Sequence, residues 1–395
     1  MTPFDAALYI HIPFCSRKCD YCDFFSVTDY SLSGEVIRRI AGQAAQETER
    51  YGIRRFETVY LGGGTPGSLE TGQIRRLLEE IRRIGGGELP HEVTLECNPE
   101  NITEGKLADW SAAGVSRISL GIQTFQDRFL KLAGRNSSRD RIVRALDILG
   151  DRQDLALSLD LIQGLPGMGR EDQLRDLAEA AARKPEHVSW YTLTLEEGTV
   201  LHDQWEKRRG AVLTGEEAER VWQEGCRLLE REGYGRYEVS NFARPGERCG
   251  HNMAYWEMRP FLGCGPGAVS MLPEPEGGVS RFRRAPDAAV FARGEFGSCD
   301  REKIGPRDFL KDFLLMGLRV TDGIDLGRFA RIFGVPAEDV FPGTLDSFGK
   351  SGHLTLRGGR LAASGAGLDI LNTILIALFE EVDGRKTGLN LCWPG

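Results

Sequence analysis

Hydrophobic residues along the first half of the chain follow two alternating periods. Short apolar runs rich in β-branched residues recur at Leu8–Ile12, Thr58–Leu61, Val93–Leu95, Arg117–Leu120, Leu157–Ile162 and Val188–Leu193. Between them apolar residues return every three or four positions, as in Val36, Ile37 and Ile40, or in Ile74, Leu77, Leu78, Ile81 and Ile84. The first pattern predicts strands and the second amphipathic helices. Further helices are expected over Leu107–Ala113, closed by Gly114, over Ile142–Leu149 and over Glu171–Ala182. Arg75, Arg76, Glu79, Glu80, Arg82 and Arg83 fall on the face opposite the Ile74 stripe and read as a solvated surface. Six strands with helices between them imply parallel pairing through helical crossovers. A partial (β/α)6 TIM-like barrel is the expected closure, although periodicity alone equally allows an open sheet.

From about Gly198 the pattern changes. Thr214-Gly215-Glu216-Glu217 has the form of a capping box and opens a helix with Val221, Trp222, Gly225, Leu228 and Leu229 on one face. Tyr237–Phe242 reads as a strand, Phe261–Ser270 is glycine-rich, and Pro273–Gly278 reads as a loop. Helices are expected over Phe309–Leu318, Leu326–Phe333 and Leu368–Phe379, with a small hairpin about Gly358-Gly359. This divides the chain into residues 1–200 (the barrel), 201–297 (its extension) and 298–385 (a smaller, mainly helical, winged-helix-like C-terminal domain). A winged helix can bind DNA, but without a basic recognition stripe it is read as a packing module.

Composition narrows the function classes. The 395 residues are 41% hydrophobic and 27% charged, ordinary for a soluble protein. A net charge of −8 argues against nucleic-acid backbone binding. Nine cysteines, an odd number with three clustered, fit a reducing compartment rather than a disulfide scaffold. The first residues lack the features of a signal peptide, and Ile374–Phe379 is too short to span a bilayer. A cytoplasmic protein that is not integral to a membrane is expected.

The chemistry centres on Cys15, Cys19 and Cys22, at Cys-x-x-x-Cys-x-x-Cys spacing directly after the first strand. A structural zinc site takes four ligands, usually as two close pairs, so this trio suits it poorly. A [4Fe–4S] cluster takes one ligand per iron, and three thiolates leave the fourth iron open to a small molecule. The alternative is a zinc knuckle or three unrelated buried thiols. Gly63, Gly64, Thr65, Glu96, Gln123 and Asp160 fall where strands end, which is where parallel α/β folds gather functional groups.

Several motifs together carry a family resemblance. Tyr9–Cys15, Gly62-Gly63-Gly64-Thr65-Pro66, Ser119–Phe125, Gly134-Arg135 and Asp160–Gly167 resemble the HemN-like, oxygen-independent coproporphyrinogen III oxidase branch of the radical S-adenosylmethionine (SAM) superfamily. The resemblance covers Leu8 to about Phe379. It implies a radical SAM barrel in which the open iron chelates SAM and an electron from the cluster cleaves it to a 5′-deoxyadenosyl radical. Within that branch the chain is more similar to the HemW haem chaperones than to the oxidases. The oxidases have a further cysteine where Phe24 stands here, and an extension before the first strand. His251-Asn252-x-x-Tyr255-Trp256 resembles the HNxxYW motif of the chaperones. One departure is Val269, where the family commonly has histidine.

By position the resemblance assigns Tyr9, Tyr21, Gly63, Gly64, Thr65, Glu96, Gln123, Arg135 and Asp160 to SAM. Glycines let backbone approach a ligand closely, the carboxylates suit an ammonium and ribose hydroxyls, and the Arg135 fork suits a carboxylate. His251 is the candidate haem contact, with Tyr255 and Trp256 against the porphyrin. The competing reading is a hydrogen-bonded structural histidine beside core aromatics. The expected function is binding of a [4Fe–4S] cluster, SAM and haem, with haem as cargo for haem-dependent, respiratory proteins. Coproporphyrinogen III decarboxylation and a HemN-like radical SAM methyltransferase are the alternatives. The other six cysteines are expected to be plain buried thiols.

Overall fold

The computed structural model describes residues 3–208, 215–274, 277–385 and 388–394. Six strands alternate with helices as the periodicity requires: β1 (Phe4–Ile12), β2 (Ile53–Gly63), β3 (Glu92–Cys97), β4 (Arg117–Gln123), β5 (Ala156–Gln163) and β6 (His187–Thr192). The connecting helices are α1 (Ser33–Tyr51), α2 (Thr71–Ile84), α3 (Glu104–Ala113), α4 (Asp127–Leu132), α5 (Arg139–Gly150) and α6 (Arg170–Ala182). Neighbouring strands from β1 to β6 pair in parallel and in sequence order.

The two faces of these strands differ sharply. Val59, Leu61, Val93, Leu95, Ile118, Leu120, Leu159 and Trp190 point outward into one buried apolar cluster with Ile74, Leu77, Leu78 and Ile81 of α2. The intervening residues, among them Tyr60, Thr94, Glu96, Ser119, Asp160 and Ser189, line the concave side. Helices cover the apolar face, and the lumen is left polar.

The sheet runs beyond six strands. After α7 (Val200–Arg208) and α8 (Glu216–Arg231), β7 (Gly235–Arg236) and β8 (Asn241–Ala243) add antiparallel pairing to β6. On the other edge, β9 (Phe261–Cys264) pairs in parallel with β1 and is followed by antiparallel β10 (Val269–Pro273), β11 (Val279–Arg284) and β12 (Ser298–Ile304). Between these edges α9 (Gly250–Trp256) carries the His-Asn-x-x-Tyr-Trp motif. The expected continuous strand over Tyr237–Phe242 is instead broken, because the buried Glu238 carboxylate turns back to accept from the Ser240 N–H at 3.1 Å. Gly215 is the N-cap of α8, and Thr214 lies outside the described residues.

A second apolar cluster, with Phe309, Phe313, Phe329, Phe333, Ile374 and Leu378, forms the C-terminal region. Its helices include Pro306–Gly317, Leu326–Phe333 and Leu371–Gly384, and the hairpin Leu354–Arg357 with Arg360–Ala363 joins a short third strand.

Gly225 on α8 packs directly against the sheet. A Cβ there would fall 2.3 Å from the Trp190 indole, which stacks on Trp222 at 4.7 Å. Gly225→Ala is expected to cost about 1–3 kcal/mol through overpacking, read as a lowered urea midpoint at unchanged slope. Unchanged stability would mean that α8 is not seated on Trp190.

Candidate cofactor site

The cysteine loop follows β1 and is fixed at both ends by backbone contacts. Cys15 N–H donates to Val27 O at 3.0 Å and Val27 N–H to Pro13 O at 2.7 Å. The end of β2 supports it from the side, with Gly64 N–H donating to Ile12 O and Thr65 N–H to Phe14 O, both at 2.8 Å. Such proximity leaves no room for side chains. A Cβ on Gly64 would stand 2.7 Å from Phe14 O, and one on Gly63, at φ +102°, 2.6 Å from the His11 ring. At the loop's centre Asp20 N–H donates to Ala133 O at 3.0 Å and Asp20 O accepts from Leu201 N–H at 2.7 Å.

Cys15, Cys19 and Cys22 consequently open, partly exposed, onto one cavity of about 430 Å³ that occupies the lumen. Tyr21, Gly63, Gly64, Thr65, Glu96, Gln123, Arg135 and Asp160 line it too. Phe24 stands 60% exposed on its rim. Of the residues singled out for SAM, Tyr9 is the one outside the cavity lining. It packs beside Tyr60 and His251, with ring centroids at 6.2 and 6.3 Å.

Charge is arranged in two layers. Arg135 sits near the mouth, its Nη1 3.4 Å from Cys19 Sγ, while Nη2 donates to Asn98 Oδ1 at 2.7 Å and Gly121 O at 2.5 Å. Deeper lie two half-buried carboxylates. Glu96 accepts from the Tyr60 hydroxyl at 2.9 Å and from Gly63 N–H at 3.2 Å. Asp160 accepts from the Ser119 and Ser158 hydroxyls at 2.7 and 3.3 Å. Burial raises both acids, and the charge of Asp160 adds to the rise at Glu96, which is pushed up to about 7. Gln123 adopts φ +64°, rare for a residue with a side chain, and its Oε1 accepts from the Tyr191 hydroxyl at 3.1 Å.

The motif on α9 divides between two environments. His251 is 1% exposed. Its Nδ1 shares a hydrogen bond with Thr58 Oγ1 at 2.8 Å and its Nε2 another with the Tyr255 hydroxyl at 2.9 Å. Both ring nitrogens are therefore engaged, and burial together with nearby Arg259 pushes its pKa down to about 3. Trp256, five residues on, lines a separate cavity of about 240 Å³ with Phe313, Arg259, Arg328, Arg331 and Arg360. The motif's three aromatic rings do not converge on one site.

Sequence reasoning missed most of the lumen's polar wall, including Tyr60, Arg117, Ser119, Ser158, His187 and Tyr191. The signal was present: a polar residue at every second place in otherwise apolar strands, as in Arg117-Ile118-Ser119-Leu120. Among the other cysteines Cys97, Cys249 and Cys264 are buried, but Cys226 is half-buried and Cys392 is exposed on the C-terminal segment.

Comparisons with known proteins agree with this architecture. The sequence profile of the Radical SAM superfamily matches residues 9–181, and that of the HemN C-terminal domain matches residues 304–370. The bovine mitochondrial radical S-adenosyl methionine domain-containing protein 1 is 34% identical over 95% of this chain and 88% of its own. The heme chaperone HemW of Escherichia coli is 32% identical over 88% of this chain and 91% of its own. The structure of coproporphyrinogen III oxidase (HemN) from Escherichia coli superposes with a TM-score of 0.75 at 18% identity, covering 95% of this chain and 90% of that one. This last likeness is one of fold. The six-stranded parallel α/β core, the cysteine loop and the C-terminal domain, with the two profile matches, together define a radical SAM protein of the HemN-like branch. The chain belongs to the HemW family within it.

Membership implies a [4Fe–4S] cluster and SAM, and the donor set can be tested against them. Among the described residues no three His, Cys, Asp or Glu side chains gather as ligands of a single metal ion. A cluster needs one thiolate per iron, with the three sulfurs around a common space, and Cys15, Cys19 and Cys22 all open onto one cavity. The residues fit the group.

The acid pair makes a pH prediction. Glu96 titrates near 7 in the folded chain against 4.5 ordinarily, so its contribution to stability is full below pH 4.5 and is lost as pH rises through about 7. Glu96→Gln is therefore expected to gain Tm relative to the parent at pH 8 but not at pH 4.5, by calorimetry. A pH-independent difference would contradict a raised carboxyl.

Proposed function

We propose that this protein is a haem chaperone that holds a [4Fe–4S] cluster on Cys15, Cys19 and Cys22 and binds SAM in the lumen beneath them. When bound, the cluster would supply an electron to SAM. Arg135 would meet the SAM carboxylate near Cys19, and Glu96 and Asp160 would accept hydrogen bonds from its ammonium and ribose. Gly63, Gly64, Thr65 and Gln123 shape the wall, Tyr21 flanks the adenine, and Tyr9 supports the site from below. The two half-buried acids suit a ligand that brings a sulfonium cation into the lumen. The observation that carries the cargo half is the near full-length likeness to proteins named as heme chaperones.

For the haem contact, Trp256 is favoured over direct ligation by His251, whose nitrogens both have partners. Trp256 offers apolar area beside the buried Phe313 ring, and four arginines outnumber Glu257 and Asp325 in the lining, with Arg259 also paired to Glu57, which suits the propionate edge of haem. Tyr255 secures the helix that presents Trp256. The proposed recipients are haem-dependent proteins, respiratory ones included, and the proposed compartment is the cytoplasm. Among the described residues no helix is long and apolar enough to cross a membrane.

Two measurements test this reading. Cys19→Ala is expected to lose the broad visible absorption of a reconstituted cluster while keeping its far-ultraviolet circular dichroism; a full cluster in the variant would overturn the ligand assignment. In an anaerobic haem titration, the cluster-loaded protein should bind one haem saturably, and Trp256→Ala should weaken it by about tenfold. No specific binding, together with decarboxylation of coproporphyrinogen III, would instead make it an oxidase.

A further inference from the structure

The lumen-facing rows of β2 and β3 connect the α9 motif to the carboxylate proposed for SAM. On β2 the row reads Thr58, Tyr60, Gly62, and on β3 it reads Glu92, Thr94, Glu96. The lower members of both rows hold α9. Glu92 accepts from the backbone N–H of Gly250 at 2.7 Å and of His251 at 2.8 Å, and Thr58 shares its hydrogen bond with the His251 ring. One step higher, the Tyr60 ring lies on the His251 imidazole, centroids 5.0 Å apart and planes 28° from parallel. The Tyr60 hydroxyl then donates to Glu96.

Each link leaves the next little freedom. His251 cannot rotate without breaking both ring hydrogen bonds, and Tyr60 cannot swing toward α9 without displacing a clamped imidazole. With Tyr60 on one Glu96 oxygen and the Gly63 amide on the other, the carboxylate is held in one orientation. We propose that His251 is a positioning residue for the cofactor site: it fixes Tyr60, and through Tyr60 the direction in which Glu96 presents its remaining lone pairs to SAM. The inference rests on the reading of Glu96 as a SAM contact. It gives the motif's histidine a task apart from iron ligation and makes α9 the mechanical floor of the lumen.

The test is SAM affinity by equilibrium dialysis on cluster-reconstituted protein across pH 6 to 8.5, for the parent, Glu96→Gln, Tyr60→Phe, His251→Ala, the double variant and His251→Gln. Tyr60→Phe is expected to weaken SAM about tenfold through loss of a charge-assisted hydrogen bond. His251→Ala should weaken it about three- to tenfold, and the double variant no further than Tyr60→Phe alone, since the histidine acts through the tyrosine. Parent affinity should rise with pH through about 7 as Glu96 ionises. Tyr60→Phe and His251→Ala should both move that midpoint upward, because each weakens a bond that favours the carboxylate. His251→Gln, which can keep one of the two ring hydrogen bonds, should restore part of the loss. A merely destabilised fold would not move the pH midpoint. SAM affinity and midpoint unchanged in His251→Ala, with Glu96→Gln defective, would overturn the proposal alone. Unchanged affinity in Glu96→Gln would overturn the SAM reading beneath it as well.

Discussion

The structure depends on a backbone-to-backbone contact between two strand ends. Gly64 lies so close to the backbone of Ile12 and Phe14 that no side chain fits between them, and two amide-to-carbonyl hydrogen bonds close the gap. This contact turns the end of β1 over the lumen rather than away from it. It therefore decides where the three thiols stand relative to every polar group below. A glycine-rich strand end is usually read as a place where a ligand approaches; here the same glycines first admit the chain itself.

Below that lid the protein buries an unusual amount of polarity for a parallel sheet. Parallel strands covered on both faces read as continuous apolar runs; these are covered by helices on the outside and leave serine, tyrosine and carboxylate side chains inside. Buried polar groups are costly unless paired, and most are paired: Ser119 and Ser158 with Asp160, Ser158 and Tyr237 with His187, Tyr60 with Glu96. What pairing does not remove is the cost of desolvating two carboxylates, which raises the pKa of both, with the charge of Asp160 adding to the rise at Glu96. A cationic ligand relieves that cost, so the lumen is electrostatically prepared for one.

The parts of this arrangement readable from sequence were those governed by local period and by position along a strand. The six strands declared themselves, and the rule that function gathers at strand ends brought Glu96, Gln123 and Asp160 into view before their neighbours were known. Tyr60 and Ser119 carried the same alternation, but a tyrosine or serine within an apolar run reads as tolerated polarity until its partner is placed. His251 shows the limit. Its ring partner Thr58 lies 193 residues away, and nothing local distinguishes an imidazole awaiting iron from one already satisfied. Trp256 shares its helix but faces another cavity, which follows from where the C-terminal region packs. The break at Glu238 was likewise invisible, since it depends on a buried carboxylate bonding backbone two residues on.

The central claim is that the polar lumen beneath Cys15, Cys19 and Cys22 is where SAM meets a cluster with one open iron. Electron paramagnetic resonance of the dithionite-reduced, reconstituted protein, recorded with and without SAM, addresses it most directly. The account predicts that saturating SAM shifts the g-values of the reduced cluster, because the ligand set of one iron changes. A reduced cluster signal that SAM leaves unmoved at saturation would contradict it.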